Sequence, residues 1–228
     1  MGHSLIIAID GPSGAGKGTV ARTVAARLAY RHVDTGAMYR AVAWKARQTG
    51  TDLHDAAAVA RLAAQARFDI DGRVRIDDTD VTEEIRTPEI DRAAGIVAQH
   101  PPVREVLVER QRRYGADGSV VMEGRDIGSV VFPGAEVKVY LDATPDERAR
   151  RRARDPAHAA SREPVVTAVA EALEARDHTD RTRVISPLRL ADDAVYIDTT
   201  AMSVEEVVER VMDLVDVKLR TSAVEPRP

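Results

Sequence analysis

Residues 5–19 read Leu-Ile-Ile-Ala-Ile-Asp-Gly-Pro-Ser-Gly-Ala-Gly-Lys-Gly-Thr, and this stretch predicts both the fold and a type of ligand. The apolar run from Leu5 to Ile9 is typical of a strand that is buried on both faces of a parallel sheet. A glycine-rich loop follows, and from Thr19 an Ala- and Val-rich segment has helical spacing. In a strand, glycine-rich loop and helix of this kind, backbone N–H groups and the positive end of the helix surround an anion.

The loop nearly matches the phosphate-binding pattern G-x-x-x-x-G-K-[ST], in which the lysine reaches the β- and γ-phosphates of a nucleotide. Gly18 stands where the pattern has Ser or Thr, and the hydroxyl group moves to Thr19. Since that hydroxyl usually touches Mg²⁺, we expect an Mg²⁺ cofactor that is held partly through water, with Thr19 assisting. The predicted ATP-binding residues are Gly11, Pro12, Ser13, Gly14, Ala15, Gly16, Lys17, Gly18 and Thr19. A plain glycine-rich turn is the structural alternative, and the lysine in register with the helix argues against it.

Composition limits the other function classes. The chain has 228 residues, enough for one sizeable domain, and a net charge of −4 argues against general nucleic-acid binding. Cysteine is absent, so disulfides, thiolate catalysis and Cys-ligated zinc are excluded. The run at residues 5–9 is far shorter than the roughly 20 residues that span a bilayer. We therefore expect a cytoplasmic protein without a membrane or nucleic-acid partner, and we expect a monomer.

Short apolar strands alternate with helices along the chain, which predicts an α/β fold with a parallel sheet flanked by helices. The predicted strands are residues 5–9, 120–122, 137–141 and 194–197, and the predicted helices are 19–28, 37–48, 55–66, 88–98, 102–113, 144–154, 165–176 and 204–219. Residues 68–76 alternate apolar and polar residues around Asp71-Gly72, which predicts an antiparallel hairpin inserted between helices. We divide this single domain into a core (1–34, 115–150, 185–220), a region with the insert (35–112), a lid (150–165) and a disordered tail (221–228).

Arginines recur beside the predicted loops, as expected of a protein that moves a phosphoryl group between two anions. Arg125 is the strongest candidate because it follows the buried strand at 120–122, and the carboxyl ends of parallel strands face the ligand crevice. A second group lies on one predicted helix and could form a lid over the triphosphate: Arg148, Arg150, Arg151, Arg152 and Arg154. The alternative for this group is a solvated helix face.

Several ordered motifs resemble bacterial cytidylate kinases, which belong to the P-loop nucleoside monophosphate kinases. The lysine of the phosphate loop is followed by Gly-Thr in that group as well. The further motifs are residues 34–40 (Asp-Thr-Gly-Ala-Met-Tyr-Arg), 83–87 (Glu-Glu-Ile-Arg-Thr), 103–105 (Val-Arg-Glu), 123–128 (Glu-Gly-Arg-Asp-Ile-Gly), 131–133 (Val-Phe-Pro) and 186–188 (Ser-Pro-Leu). The resemblance covers residues 5 to about 200 and implies a monophosphate-binding region enlarged by an antiparallel insert.

The resemblance also implies residue roles. Arg40, Arg125 and Arg183 would hold the acceptor phosphate and act in catalysis with Lys17, whereas Arg104 and Asp126 would read the cytosine edge. Arg176 and Asp180 would contact the sugar, and Thr35 would lie near the nucleotide as a hydroxyl donor. The sequence departs from the family pattern at two positions. Glu123 replaces an aspartate that can serve Mg²⁺ through water, and Gly95 replaces a serine near the base.

The predicted reaction is transfer of the γ-phosphoryl group of ATP to CMP, and to dCMP, without a nucleophilic side chain or a general base. Another P-loop small-molecule kinase with a different acceptor is the first alternative. A P-loop ATPase or GTPase, which would turn over without an acceptor, and a module that binds ATP without turnover are the others.

Overall fold

A computed structural model describes residues 4–70, 72–155 and 166–224, with side chains as far as Thr221. The strands are β1 (Ile6–Asp10), β2 (Arg31–Asp34), β3 (Phe68–Asp69), β4 (Arg75–Ile76), β5 (Thr79–Asp80), β6 (Val120–Gly124), β7 (Val137–Asp142) and β8 (Val195–Asp198). The α-helices are α1 (Lys17–Leu28), α2 (Thr35–Gln48), α3 (Ala56–Gln65), α4 (Pro88–Val97), α5 (Pro101–Tyr114), α6 (Pro145–Arg154), α7 (Val166–Thr182) and α8 (Val204–Val224). A 3₁₀-helix spans Glu84–Arg86, and a π-helix spans Ile127–Val131.

The main sheet has five parallel strands in the order β2-β6-β1-β7-β8. At the carboxyl end of β1, Asp10 lies opposite Gly124 of β6 and Tyr140 of β7. The loops that follow these strands therefore meet at one edge, where open α/β sheets bind their ligands. The predicted parallel sheet flanked by helices is confirmed.

The core lies on both faces of this sheet because successive residues of a strand point to opposite sides. Ile7 and Ile9 pack on the side that carries α1 and α8. Ala8 and Met122 pack on the side that carries α2, α3, α4 and α5. The unbroken apolar sequence of β1 follows directly from this burial on both faces.

The insert is a small antiparallel sheet, as the sequence predicts. Phe68 pairs with Ile76 and Asp69 pairs with Arg75, whereas Asp71 of the predicted turn lies outside the described residues. The hairpin prediction missed β5, which pairs with β4. This strand is only two residues long and therefore has no periodicity to detect.

The sequence prediction also missed β2 at the edge of the main sheet. Its residues Arg31-His32-Val33-Asp34 include one apolar side chain, and within the described part of the chain β2 pairs with β6 alone. An edge strand with a single buried residue lacks both patterns that identify strands. Asp34 ends β2 and accepts a hydrogen bond from Ala37 N at 2.9 Å, which caps α2 and starts it at Thr35, before the predicted 37.

Two helices end later than the sequence predicts. Helix α7 continues from the predicted end at Arg176 to Thr182, and this adds Asp177 and Asp180 to the helix. Helix α8 runs to Val224, where the sequence predicts a disordered tail from residue 221; no Gly or Pro interrupts the chain between Val204 and Pro226. Residues 225–228 lie outside the described part. None of the described helices is long and apolar enough to span a bilayer.

Candidate active site

The loop after β1 has the geometry of an anion site. Gly14 and Gly16 have φ of 81° and 90°, in the left-handed region that side chains disfavour. A Cβ at Gly14 would also lie 2.9 Å from the carbonyl oxygen of Arg148, so this position has no room for a side chain. Helix α1 begins at Lys17 with no acidic residue in its first turn, and its free N–H groups face the loop.

Lys17 is the cation of this loop. Its Nζ donates to the carbonyl oxygen of Pro12 at 2.6 Å, and its side chain is buried. Burial, with Arg125 as the next cause, lowers the pKa of Lys17 to about 7, although Glu123 opposes the shift. A buried ammonium group whose pKa is lowered in spite of the nearby carboxylates is a site for added negative charge, such as the phosphates of a nucleotide.

A cleft of about 740 Å³ connects this loop with the predicted acceptor residues. Among the described residues, its lining has eleven arginines and Lys17 but six carboxylates. Such a surplus of cations in one cleft fits two highly charged anionic ligands. Thr35 and every predicted acceptor residue from Arg40 to Arg183 line this cleft: Arg40, Arg104, Arg125, Asp126, Arg176, Asp180 and Arg183.

Carboxylates hold the arginines that the sequence assigns to the acceptor phosphate. Arg40 donates to Asp34 Oδ2 at 2.8 Å, and Arg125 Nε donates to Asp180 Oδ2 at 3.0 Å. Arg183 donates to Asp180 Oδ1 at 3.4 Å. Burial raises the pKa of Asp180, but Arg125 and the neighbouring arginines outweigh it and leave the pKa lowered, so the carboxylate stays ionised. These pairs restrict the guanidinium groups in the cleft before a ligand binds.

The two residues predicted to read the base form a buried ion pair. Arg104 donates to Asp126 Oδ2, and their side chains are 3% and 8% exposed. Arg183 approaches the other oxygen of Asp126 at 3.7 Å. The guanidinium group of Arg104 also lies 5.5 Å from the centre of the Tyr39 ring, within cation–π distance. A carboxylate fixed by two arginines can accept from an exocyclic amino group while the arginines donate to ring acceptors.

Thr35 and Arg176 each have a partner within the protein. Thr35 Oγ1 donates to the carbonyl oxygen of Glu123 at 2.7 Å. Arg176 donates to the carbonyl oxygen of Asp91 on α4 at 3.1 Å. Arg152 of α6 pairs with the carboxylate of the same Asp91, so helices α6 and α7 both contact the acceptor region.

The predicted lid arginines separate into different environments. Arg148 is buried, pairs with Asp177 and donates to the carbonyl oxygen of Ser13 at 3.1 Å. It is absent from the cleft lining, so it supports the phosphate loop from behind. Arg150 is exposed and pairs with Glu147. Arg151, Arg152 and Arg154 line the cleft, and residues 156–165 of the predicted lid lie outside the described part.

The candidate metal ligands, Thr19 of α1 and Glu123 of β6, both line the cleft. Thr19 is exposed to the cleft, and Glu123 is 8% exposed, with its Oε1 3.0 Å from His32 Nε2. A Cβ built on Gly18 would lie 3.2 Å from the same Oε1, so this glycine leaves room for the carboxylate. One carboxylate and one hydroxyl beside a phosphate loop fit Mg²⁺, which binds few protein oxygens and completes its shell with phosphates and water.

Sequence reasoning did not assign three residues that the structure places in or beside the cleft. His32 lies on the missed strand β2, and Tyr39 lies inside a quoted motif without a role. Asp10 ends β1 and accepts from Ile127 N and Gly128 N. The signal for Asp10 is an acidic residue at the carboxyl end of a buried strand, beside a phosphate loop.

The family model described as cytidylate kinase matches residues 7–217. The chain belongs to the cytidylate kinase family. It is 45% identical to a cytidylate kinase from Desulfitobacterium hafniense (strain Y51), with 98% of each chain covered. It is 48% identical to a cytidylate kinase from Pelotomaculum thermopropionicum (strain DSM 13744 / JCM 10971 / SI), with 90% of this chain and 93% of the other covered. The resemblance stated from the motifs is confirmed.

A solved structure supports the fold independently of close sequence identity. A gluconokinase from Sinorhizobium meliloti 1021 superimposes with a TM-score of 0.52 at 15% identity, and the match covers 99% of this chain and 100% of the other. At this identity the likeness shows the fold alone, which is the P-loop kinase fold.

Proposed function

We propose that this chain is a cytidylate kinase, which transfers the γ-phosphoryl group of ATP to CMP, and to dCMP, giving ADP and CDP or dCDP. One observation carries the proposal beyond family membership: the phosphate loop and the buried Arg104–Asp126–Arg183 cluster line the same cleft. The loop suits the donor, and the cluster suits a base with an exocyclic amino group beside a ring acceptor, as in cytosine.

In this mechanism an oxygen of the CMP phosphate attacks the γ-phosphorus of ATP, and the bond from that phosphorus to the β,γ-bridging oxygen breaks. Lys17 and the N–H groups of the loop neutralise charge on the donor, while Arg40, Arg125 and Arg183 hold the acceptor phosphate in line. Asp180 and Arg176 bind the sugar. No general base is needed because the acceptor phosphate is largely ionised near pH 7.

Glu123 and Thr19 would hold Mg²⁺, at least partly through water, because Gly18 leaves no hydroxyl at the usual position. When bound, the ion would supply positive charge that offsets the negative charge of the phosphates. Arg151, Arg152 and Arg154 would close over the triphosphate and exclude water that would otherwise hydrolyse it. We propose a monomer that works on the cytoplasmic nucleotide pool.

A coupled assay of ADP release with CMP, dCMP, UMP, AMP and dTMP tests the proposal. We expect CMP and dCMP to give the highest kcat/KM, with little ADP released from ATP alone. A clear preference for AMP or dTMP would show a different monophosphate kinase. Equal ADP release with and without any acceptor would indicate an ATPase, and no release at all would indicate a binding module.

A further inference from the structure

Asp10 is a buried carboxylate that the reaction described above does not use. Its side chain accepts hydrogen bonds from the backbone N–H groups of Ile127 at 2.8 Å and Gly128 at 2.7 Å. These N–H groups begin the π-helix that follows Asp126, and a helix start leaves such donors without partners inside the helix. Asp10 therefore caps this helix from a neighbouring strand.

The cap connects the two halves of the cleft. In one direction the chain passes from Asp10 directly into Gly11, the first residue of the phosphate loop. On the other side, Ile127 is next to Asp126, and Asp126 adjoins Arg125, which is predicted to hold the acceptor phosphate. Beyond the pairing of β1 with β6, this carboxylate thus links the donor loop to the segment that contacts the acceptor.

The backbone around Asp126 needs such support. Its φ and ψ of −149° and 24° lie outside the regular helix and strand regions. Its carbonyl oxygen accepts from Val130 N at 2.9 Å and Val131 N at 3.2 Å, which already commits the residue to the π-helix. If the two bonds to Asp10 were lost, the start of this helix could shift, and the carboxylate of Asp126 would shift with it.

The charges and N–H groups around Asp10 favour an ionised carboxylate that only accepts hydrogen bonds. Burial raises the pKa of Asp10 to about 6, while the two backbone N–H groups and Lys17 lower it and Asp126 raises it. At neutral pH the group is therefore ionised and can offer both oxygens as acceptors. Lys138 approaches from the other side, with its Cδ 3.2 Å from the position of a Cβ on Gly128.

We propose that Asp10 is a positioning residue, which holds Arg125 and Asp126 in place for the acceptor through Ile127 N and Gly128 N. This inference rests on the proposed function only for the identity of the acceptor. If the acceptor panel shows that another monophosphate is used, the same experiment is done with that monophosphate. The failure of the proposed function and the failure of this inference are therefore separate results.

The test uses the full chain with Asp10→Asn, which keeps the size of the side chain and places an NH₂ group against one of the two backbone donors. We expect the Kd of CMP, measured by titration calorimetry, to rise about tenfold or more, because a bond to a charged acceptor is lost. The Kd of ATP should change less than threefold. In hydrogen exchange followed by NMR, the amides of Ile127 and Gly128 should exchange faster, while those of β7 should not change.

Val211→Ala is the control for a general loss of stability, because Val211 of α8 is buried in the core beside α1 and does not line the cleft. It should lower the stability and leave both Kd values unchanged. Asp10→Glu is a second variant in case Asp10→Asn fails to fold. It keeps the charge but moves both acceptor oxygens by one methylene away from Ile127 N and Gly128 N, and it should weaken CMP in the same selective way. Equal weakening of CMP and ATP, or faster amide exchange with an unchanged Kd of CMP, would overturn the proposal.

Discussion

Asp126→Asn tests how much the buried ion pair of Arg104 and Asp126 stabilises the fold, compared with an ion pair on the surface. In the native protein Asp126 is the carboxylate partner of Arg104, whose side chain is 3% exposed, and it also approaches Arg183. The substitution removes the negative charge and leaves both guanidinium groups buried, and arginine cannot release its proton to adapt. Arg183 keeps a second partner in Asp180, so the uncompensated charge falls mainly on Arg104, which keeps the Tyr39 ring.

The expected loss in the free energy of unfolding depends on the partners that Arg104 and Arg183 retain. Removing one partner of a buried ion pair costs about 3–5 kcal/mol. Because Arg183 retains Asp180 and Arg104 retains the Tyr39 ring, we expect a loss near the lower end of that range, about 3 kcal/mol in the free energy of unfolding. The matched control is Glu109→Gln, which breaks a pair with Arg113 whose side chains are 65% and 72% exposed. That change should cost at most about 0.5 kcal/mol.

Urea unfolding of both variants, followed by circular dichroism, measures the difference. The same samples should show a KM for CMP raised at least tenfold in Asp126→Asn, with the KM for ATP changed less than threefold. The reasoning fails if Asp126→Asn loses no more stability than Glu109→Gln. It also fails if the two substrates weaken equally, since a residue that reads the base does not contact ATP.

Three further outcomes follow from the cleft. Lys17→Met should keep the fold and lower kcat at least a hundredfold. In the wild type the phosphates of ATP should raise the Lys17 pKa from about 7, so that ATP binding at pH 8 takes up close to one proton, and Lys17→Met should abolish this uptake. Calorimetry in buffers of different ionisation enthalpy measures the proton uptake, and equal uptake in both proteins would contradict the prediction. Glu123→Gln should raise several-fold the Mg²⁺ concentration needed for half-maximal rate in a magnesium titration, and an unchanged requirement would remove Glu123 from the metal site. Arg152→Ala should lower kcat in steady-state assays, whereas the exposed Arg150→Ala should leave it near that of the wild type; equal effects would contradict the lid assignment.

The sequence predicted the parts of the site that come from one continuous stretch. The conformation of residues 11–19 could be predicted because the glycines, the lysine and the start of the helix are neighbours in the chain. The pairings inside the cleft could not be predicted in this way. Arg104 and Asp126 are brought together by helix α5 and strand β6, and no local pattern shows which carboxylate will meet which guanidinium group.

The separate environments of the α6 arginines likewise could not be predicted from the sequence. Helical spacing places Arg148, Arg151 and Arg152 on one face, so periodicity alone assigns them one role. What separates them is the distance along the helix axis. Arg148 lies in the turn against which Gly14 and Asp177 pack, and it is therefore buried. The other two lie one turn further on, where the cleft opens.

Gly18 and Glu123 show how the structure changes the interpretation of two departures from a motif. As sequence features they are independent: a missing hydroxyl at one position and a carboxylate longer by one methylene at another. In the structure a Cβ on residue 18 would lie 3.2 Å from Glu123 Oε1, so a serine or threonine there would compete with the carboxylate for the same space. His32 holds that oxygen from the opposite side at 3.0 Å. Gly18 therefore leaves free the space that the Glu123 carboxylate occupies beside the phosphate loop.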